Sequence, residues 1–438
     1  METVNNTEFL GDFTLNGDHP PRLKETISRD SIVINPAPPA RYLLKTKRKD
    51  VDGRDGVRRW TIGNHNPCKR NKTLLILGEV GAGKTTLVNA MVNFAIRVKW
   101  EDNARFQITE RFKDRETCWA HDPRTNAVTA YEIFGWEDAE LPFSLTIIDT
   151  PGIEDRDGLR PLIEKLRMLL EEERVDHIDA VCHVVKATQN RLTEHQRNIF
   201  DAFLSLLGKD MKDNIITLIT HSDETRPEVL DIIMEYKLLG DKVPVHFTFN
   251  THLFQTRNPF YDKIYETTWE NSMKSMRGFF DKLNGMQHQR TKQTIEVLVE
   301  RLKLEDCFKH GRIPSEVGAI CCTVCEMNCH TGCIACHPYF CQVMLRGKCI
   351  MCPQRCSHKK HVRGHQRYAD DHTNLRAQLT ECFQNMRKNA LMPHLEPSLK
   401  NQIQRANQEG DKQKLKELEE KKGTIADLIK KNMEMERE

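Results

Sequence analysis

The stretch Thr73–Asn89, TLLILGEVGAGKTTLVN, decides the fold. Its apolar run Leu74–Leu77 predicts a buried strand, and the segment from Lys84 onward is compatible with a helix. Between them, Gly78–Thr85 fits the pattern G-x-x-x-x-G-K-[ST], in which backbone N–H groups converge on phosphate oxygens. Because the strand and the helix supply the context that this motif requires, the sequence predicts a phosphate-binding loop instead of a chance glycine-rich turn.

The helix that starts at this loop adds the positive end of its dipole to the predicted phosphate site. The Lys84 ammonium is expected to reach the β- and γ-phosphates, and the Thr85 hydroxyl is expected to ligate Mg²⁺. The residues predicted to contact the phosphates are Gly78, Glu79, Val80, Gly81, Ala82, Gly83, Lys84, Thr85, Thr86 and, from a later loop, Gly152.

Composition limits the classes of protein that this chain can be. A length of 438 residues allows two or three domains, and a net charge of +3 gives no specific signal for nucleic-acid binding. No run approaches the roughly 18 apolar residues of a transmembrane helix, and the N-terminus lacks the pattern of a signal peptide. The cytoplasm is therefore the expected compartment, where the 15 cysteines favour metal sites over disulfides.

From residue 71 to 285, short apolar segments alternate with amphipathic ones, which predicts an α/β fold: a P-loop NTPase with a mostly parallel sheet and helices on both faces. The predicted strands are Thr73–Leu77, Val128–Phe134, Leu145–Ile148, Ala180–Val185, Ile215–Thr220 and Val245–Phe249. The predicted helices are Thr85–Val98, Leu159–Glu172, Glu194–Leu207, Glu228–Leu238 and Ser272–Leu283.

The rest of the chain divides by composition. We expect a disordered leader over 1–40, short edge strands around a basic loop over 41–70, a connecting helix over 286–310, a Cys/His-rich zinc module over 319–362 and a polar helical tail over 363–438. The basic loop, 45–58, is either solvated or a membrane- or nucleic-acid-binding element. Weak heptads in the tail leave a short coiled coil and an ordinary solvated helix open.

The motif DTPG, Asp149–Gly152, follows the strand Leu145–Ile148. An Asp at that strand end can hold Mg²⁺, and the small Gly152 allows its N–H to approach a γ-phosphate. Thr129, between the phosphate loop and DTPG, is expected to complete the magnesium shell from the end of a polar loop. The predicted Mg²⁺ ligands are Thr85, Thr129 and Asp149, and their combination is typical of a GTPase.

Base selection is expected after the strand Ile215–Thr220, where Thr220–Asp223 reads THSD. Asp223 can accept two hydrogen bonds from guanine, a contact that adenine cannot supply. His221 stands where a lysine is usual in the [NT]-K-x-D signal of GTPases, and it can stack on the base. Asn250 is the third predicted guanine contact, and its alternative interpretation is a simple turn residue.

On the motifs GEVGAGKTT, NAVT, TIIDTPG and TH-x-D, residues 71–285 resemble the septin-like branch of GTPases, which includes septins, immunity-associated GTPases and chloroplast import GTPases. The stretches NAMVNF, VKWED and FTFNTHLF resemble a group of animal proteins that pair such a domain with a Cys-rich segment. The resemblance implies binding of GTP and GDP with Mg²⁺, association through the nucleotide face as a homodimer, and slow hydrolysis assisted by the second G domain.

The catalytic residue is unknown from the sequence. Efficient GTPases orient a water with Gln or a similar group, whereas Ile153 follows Gly152 here. Glu154, Asp155, His183 and His221 are the candidate substitutes.

Residues 321–361 hold ten cysteines and four histidines, with two units spaced C-x₂-C-x₃-C. Paired C-x₂-C units in a reducing compartment indicate Zn²⁺, which would drive the folding of a segment with few apolar residues. Disulfides, a redox-active thiol cluster and a RING-type module remain alternatives. The predicted ligands, in no assigned pairing, are Cys322, Cys325, Cys329, Cys333, Cys349, Cys352, Cys356 and His361.

Two functions from different classes remain open. The first is a slow, Mg²⁺-dependent GTPase that acts as a nucleotide-dependent switch or assembly module. The second is a scaffold that binds nucleotide without hydrolysing it and recruits protein partners through the zinc module and tail helices. An ATP-dependent enzyme is disfavoured by DTPG and by Asp223.

Overall fold

A computed structural model describes residues 31–50, 56–109, 127–136, 140–153, 159–171, 175–188, 203–223, 225–235, 244–250, 260–310 and 312–368, with single residues besides, such as Ile27 and Ile199, and several between 378 and 389. Its strands are β1 Ile32–Asn35, β2 Ala40–Leu43, β3 Lys47–Asp50, β4 Val57–Ile62, β5 Asn71–Gly78, β6 Ala104–Gln107, β7 Val128–Ile133, β8 Ser144–Asp149, β9 His177–Ile178, β10 Ala180–Lys186, β11 Ile215–Thr220, β12 His246–Thr248, β13 Gln289–Arg290, β14 Arg312–Cys322, β15 Met327–Thr331, β16 Met344–Leu345, β17 Lys348–Cys349 and β18 His361–Tyr368. Its helices are α1 Lys84–Ala95, α2 Leu159–Glu171, α3 Val229–Glu235, α4 Asp262–Gly285 and α5 Lys292–His310.

Eight strands form the central sheet, in the order β12-β11-β10-β5-β8-β7-β4-β3. Only the pairs β7–β8 and β3–β4 are antiparallel, so the prediction of a mostly parallel sheet is confirmed. Leu74–Leu77 at its centre are fully buried, as expected for a strand covered on both faces. One apolar core lies against α1 and α4, and a second core on the opposite face contains residues of α2, α3 and α5.

The parallel register brings several strand ends to one edge of the sheet. Ile76 of β5 pairs with Asp149, and Lys186 at the end of β10 pairs with Thr220 at the end of β11. The loop from β5 to α1 leaves the sheet at this same edge, outside the carboxyl ends of the strands, where open α/β sheets bind ligands.

A small sheet, β1-β2-β6, packs beside α1 and contains a strand within the predicted leader. Two asparagines on one face of α1 hold it: Asn93 exchanges two hydrogen bonds with the backbone of Phe106, and Asn89 Oδ1 accepts from Ile108 N at 2.9 Å. The leader prediction is therefore wrong for Ile32–Asn35, because the apolar Ile32-Val33 pair extends an antiparallel ladder with β2.

The basic loop prediction is also wrong in part, since β3 forms within it and pairs with β4. Its charged residues suit an edge strand, where they discourage pairing with another chain. The Arg48 guanidinium stacks on the ring of Trp60, with 4.5 Å from its carbon to the ring centroid. A position on an edge strand therefore explains these charges without a membrane or a nucleic acid as ligand.

Three helix boundaries differ from the sequence prediction by three or more residues. Helix α4 begins at Asp262, ten residues before the predicted start at Ser272. Its first turns are largely polar and so lack a clear apolar periodicity, although Trp269 packs in the core. Helix α1 ends at Ala95, where the chain turns through Arg97 at φ 57°. The connecting helix begins only at Lys292, after β13 has paired with β9. The predicted helix Glu194–Leu207 lies largely outside the described residues.

The C-terminal sheet, β15-β14-β18, extends past the predicted module boundary at residue 362, because β18 runs to Tyr368. The end of the tail, residues 401–438, lies outside the described residues, and with it the coiled-coil hypothesis. In the part of the chain that the structure describes, no helix combines the length and hydropathy needed to cross a membrane.

A buried ion pair joins the sheet to the helices at the edge opposite the phosphate loop. Lys72 Nζ lies 2.9 Å from Asp179 Oδ1, and both side chains are nearly inaccessible to solvent. Asp179 Oδ2 accepts from Thr73 N at 2.8 Å, and Lys72 also donates to the carbonyl of Met286 after α4. Since both charges are removed from water, each is tolerated in the interior only while the other is present.

Removing one member of this pair is therefore expected to destabilise the fold strongly. Asp179→Asn should lower the free energy of unfolding by about 3–5 kcal/mol, because it leaves the Lys72 ammonium buried without a countercharge. Chemical denaturation measures this change, and Lys72→Met added to Asp179→Asn should recover part of the loss. Asp231→Asn, in the exposed Arg226–Asp231 pair, is the matched control and should change stability little. Equal effects of the buried and exposed substitutions would contradict this account.

Candidate nucleotide site and cysteine cluster

The phosphate loop leaves β5 and enters α1 through two glycines in the left-handed region, Gly81 at φ 75° and Gly83 at φ 88°. Gly83 precedes the first residue of α1 and offers no side-chain cap. The N–H groups of Thr85 and Thr86, in the first helical turn, therefore have no side-chain acceptor at Gly83. Such a helix start is suited to an anion.

The Lys84 side chain folds back over the loop that precedes it. Its Nζ donates to the carbonyls of Gly78 at 3.1 Å and Glu79 at 3.0 Å. Only 6% of the residue is exposed. Burial lowers the pKa of Lys84, while the charges of Asp149 and Glu79 act in the opposite direction. An anion bound in the loop would supply the countercharge that this ammonium otherwise shares with Asp149.

Asp149, at the carboxyl end of β8, faces the start of α1. Thr85 Oγ1 donates to its Oδ2 at 3.3 Å, whereas Oδ1 is buried and has no hydrogen-bond partner among the described residues. Burial raises the pKa of Asp149 to about 6, against the opposing effects of Lys84 and Thr85. A buried, incompletely paired carboxylate beside a hydroxyl fits a divalent cation, which takes oxygen ligands of these types.

Thr129 lies opposite Asp149 in the antiparallel ladder of β7 and β8. It is the second residue of β7 and is buried, within the strand predicted from Val128 to Phe134. Directly opposed residues in such a ladder have Cβ atoms roughly 5 Å apart on one face of the sheet. The three predicted magnesium ligands, Thr85, Thr129 and Asp149, therefore lie close together.

The DTPG loop packs directly on the phosphate loop. A Cβ atom on Gly152 would lie 2.4 Å from Val80 Cγ2 and 2.6 Å from Val80 Cα, so glycine is required for this approach. Ile153 N donates to the carbonyl of Gly78 at 3.1 Å. The Thr150 hydroxyl donates to the carbonyl of Ile76 at 2.7 Å, which fixes the loop to β5.

The end of β11 is joined to the phosphate loop by the hydroxyl of Thr220, which lies 2.7 Å from the carbonyl of Ala82. His221 follows at φ 55°, with its Nδ1 3.1 Å from that hydroxyl. Burial and the charge of Lys186 both lower the pKa of His221, so the ring is neutral near pH 7. A neutral ring at this point is available for stacking.

Asp223 is exposed and bonds to its own loop. Its Oδ1 accepts from the N–H of Thr225 at 3.1 Å and from the Thr225 hydroxyl at 2.6 Å, and these bonds lower the pKa of Asp223. Asn250 is held by Ser272 of α4, which exchanges hydrogen bonds of 3.0 Å with its backbone N–H and carbonyl. Ser222 N donates to the carbonyl of Phe249, so the two loops predicted to contact guanine are connected.

Lys186 is a cation of this site that the sequence analysis missed. A Cβ atom on Gly81 would lie 3.6 Å from Lys186 Nζ, and the charge of Lys186 contributes to the lowered pKa of His221. The sequence signal was limited to its position directly after the predicted strand Ala180–Val185, since the adjacency of β10 and β5 is a property of the sheet. The ammonium therefore lies beside the phosphate loop and close to His221.

The residues that the sequence offers for orienting a hydrolytic water differ in their positions in the structure. His183 lies in the middle of β10, is buried, and stacks on Phe203 with ring centroids 4.7 Å apart; burial lowers its pKa to about 3. It is a core residue, so the suggestion that it substitutes for Gln is wrong. Ile153 is buried too. Glu154 and Asp155 lie outside the described residues.

The ten cysteines of the C-terminal module are free thiols, and eight of them form three groups with two histidines. The first consists of Cys322, Cys325, Cys352 and Cys356; the second of Cys329, Cys349, Cys352 and His361; the third of His330, Cys333 and Cys341. Within each group, the ligand atoms lie within 4.8 Å of one another. Seven of the eight residues predicted as zinc ligands fall in the first two groups, whereas Cys333 is placed with His330 and Cys341.

Two features of these groups are typical of side chains oriented for metal binding. In the turns Cys322–Cys325 and Cys352–Cys356, the backbone N–H of the second cysteine points at the sulfur of the first. The distances are 3.4 Å from Cys325 N to Cys322 Sγ and 3.3 Å from Cys356 N to Cys352 Sγ. His361 Nδ1 is 2.9 Å from the carbonyl of Ser357, while its buried Nε2 has no hydrogen-bond partner among the described residues. A ligating histidine typically has its other nitrogen bonded to a carbonyl in this way.

Comparisons with known proteins agree with the site's motifs. Residues 73–221 match the model of a family described as 50S ribosome-binding GTPase. A comparison with curated proteins gave no match.

Solved structures give distant similarities. Toc33 from Arabidopsis thaliana in complex with GDP and Mg²⁺ is 17% identical, with 50% of this chain and 87% of that chain covered and a TM-score of 0.31. A dimerization-deficient R130A mutant of Toc33 is 16% identical over the same shares, with a TM-score of 0.31. The S. cerevisiae Ski7 GTPase-like domain, bound to GTP, is 16% identical, with 46% and 50% covered and a TM-score of 0.28.

Similarities this distant carry no information on substrate or partner. The assignment instead rests on the matched family and on the sheet with its phosphate loop. The chain contains the G domain of a P-loop GTPase.

Proposed function

We propose that this chain binds GTP with Mg²⁺, hydrolyses it slowly, and acts as a nucleotide-dependent switch or assembly module. The observation that supports this most strongly is the meeting of Lys84, Thr85 and the half-paired carboxylate of Asp149 at one sheet edge. A cation there would complete the pairing of Asp149, and a bound triphosphate would do the same for Lys84. Mg²⁺ would neutralise charge on the phosphates when bound.

The residues of the phosphate loop have separate roles in this proposal. Backbone N–H groups between Gly78 and Thr86 hold the phosphates, and Lys84 supplies the positive charge. Thr85, Thr129 and Asp149 hold the metal ion. Gly152 senses the terminal phosphate, because its lack of a side chain leaves its N–H next to the phosphate loop.

Guanine recognition is assigned to Asp223, His221 and Asn250. To accept from the base, Asp223 must exchange its present bonds to Thr225 for bonds to guanine. His221 is positioned to stack, and the loop of Asn250 is braced by α4. Lys186 supplies a second positive charge beside the phosphates, near Gly81 of the phosphate loop.

A chain of polar contacts supports a switch. Arg160, at the start of α2 and shortly after the DTPG loop, lies 2.9 Å from Asp306 Oδ1 of α5. Asp306 in turn accepts from Gln366 of β18 at 2.5 Å. A displacement of Arg160 at the start of α2 would therefore act on the cysteine module through the buried carboxylate of Asp306. In the alternative, a non-hydrolysing scaffold, these contacts only hold the two parts together, and single-turnover hydrolysis would be absent at every protein concentration.

We further propose that the first two cysteine groups bind Zn²⁺ and that the module and the tail contact protein partners. Reduced thiols in such groups fit the cytoplasm. Two ions would share the thiolate of Cys352, since it belongs to both groups. Association of two G domains through the nucleotide face remains part of this proposal, and it would assist a site whose Ile153 cannot orient water.

The first test is the removal of the buried ammonium. Lys84→Ala should weaken GTP binding by roughly 100-fold or more, because it leaves the bound phosphates without their buried countercharge. Titration of the nucleotide-free protein with a fluorescent GTP analogue measures this. Lys99→Ala is the matched control, since its side chain is 60% exposed. If Lys84→Ala binds GTP as tightly as the parent chain, the site is assigned wrongly.

The second test concerns Lys186. Lys186→Gln should weaken GTP binding by about 1 kcal/mol, roughly fivefold, and the loss should shrink at high salt because the charge is only half buried. Lys186→Arg keeps the positive charge and should restore most of the affinity. Identical affinities for the parent and the Gln variant at low salt would remove Lys186 from the site.

A further inference from the structure

A third group of metal-ligating side chains lies outside the two groups assigned above. It consists of His330 in β15, Cys333 just after that strand, and Cys341 at the end of the 3₁₀ turn Pro338–Phe340. No ligand is shared with the other groups. Both cysteines are free and are only 3% exposed, whereas His330 is partly accessible.

The distances within this group suit a single tetrahedral ion. His330 Nδ1 lies 3.2 Å from Cys341 Sγ, and the sulfurs of Cys333 and Cys341 are 3.5 Å apart. Ligand bonds of about 2.3 Å to sulfur and 2.0 Å to nitrogen place the corners of a zinc tetrahedron roughly 3.6 Å apart. The observed distances are therefore close to those that Zn²⁺ imposes on its ligands.

The positions of these ligands are fixed by the surrounding structure. The side-chain amide of Gln342 lies 2.7 Å from His330 Nε2, which turns Nδ1 toward Cys341. Cys333 N donates to the carbonyl of Gly318 at 2.7 Å, and Cys341 N donates to the carbonyl of Pro338 at 3.1 Å. A histidine held by a second group at its far nitrogen is characteristic of metal sites.

Among the residues that the structure describes, the group offers three ligands. Cys336 has the C-x₂-C spacing to Cys333 that would make it a fourth, but it is exposed and does not belong to the group. Structural zinc sites have four protein ligands, whereas sites with three leave a position for water or an external ligand. The partial exposure of His330 leaves such a ligand a route to the ion.

We propose that His330, Cys333 and Cys341 bind a third Zn²⁺ ion whose fourth ligand is exchangeable and comes from outside the module. This goes beyond the two-ion module proposed above and rests on it only for the folding of the segment. The site would take a small Lewis base, water when nothing else is present, and its chemistry is that of a Cys₂His zinc centre.

Zinc stoichiometry of the full chain tests the proposal. After dialysis against metal-free buffer, elemental analysis should give three ions per chain for the parent and two for both Cys341→Ser and His330→Ala. Retention of two ions shows that the rest of the module remains folded in these variants. Cys336→Ser is the matched control and should keep three ions.

Cobalt substitution then tests the exchangeable position. Imidazole added to the Co²⁺-loaded parent should shift the visible absorption, and the shift should be absent in His330→Ala. Two ions in the parent, unchanged in Cys341→Ser, would overturn the third site, and no ions at all would instead reject the zinc module itself. Loss of one ion in Cys336→Ser, or a spectrum insensitive to imidazole, would overturn the open position.

Discussion

The buried carboxylate of Asp149 is the constraint on which the nucleotide site depends. It stands at the end of a central strand with one oxygen bonded to Thr85 and the other without a partner among the described residues. Burial of that charge is costly, as the raised pKa of Asp149 indicates, and a divalent cation would offset the cost. The phosphate loop, the opposing Thr129 and the close approach of Gly152 are all arranged around this one group.

Polar contacts connect the G domain to the cysteine module. Helix α2 begins just after the DTPG loop, and its Arg160 bonds to Asp306 on α5, which is bonded to β18. Helix α5 contributes Leu298 to the second core of the G domain, so it packs against that domain and does more than connect it to the cysteine module. Helix α5 therefore contacts both the G domain and the cysteine module.

Strongly patterned features could be predicted from the sequence, and features that depend on long-range packing could not. The continuous apolar run Leu74–Leu77 and the glycine motif after it led directly to β5 and the phosphate loop, because burial and turn geometry act locally. Strand β3 was missed because a run of charged residues is typical of a loop, and the stacking of Arg48 on Trp60 depends on the folded sheet. Lys186 was missed because only the sheet order brings β10 next to β5.

The cysteine module shows the same limit. Its spacing indicates metal ligands, but the assignment of Cys333 to a group with His330 and Cys341 depends on how β15 and the 3₁₀ turn fold together. Likewise, the sequence makes His183 a polar candidate, whereas its place in the middle of β10 makes it a core residue. Where a side chain's neighbours come from distant segments, residue type and spacing do not determine its role.

The proposed triphosphate site is specific for guanine and dependent on Mg²⁺, and calorimetric titration of the nucleotide-free chain with GTP and with ATP measures both properties. One GTP should bind per chain, and removal of Mg²⁺ should weaken it. ATP should bind roughly 100-fold more weakly, because adenine leaves the Asp223 carboxylate without its hydrogen bonds. Equal affinity for the two nucleotides would rule out guanine recognition by Asp223, and no binding of either would rule out the nucleotide site.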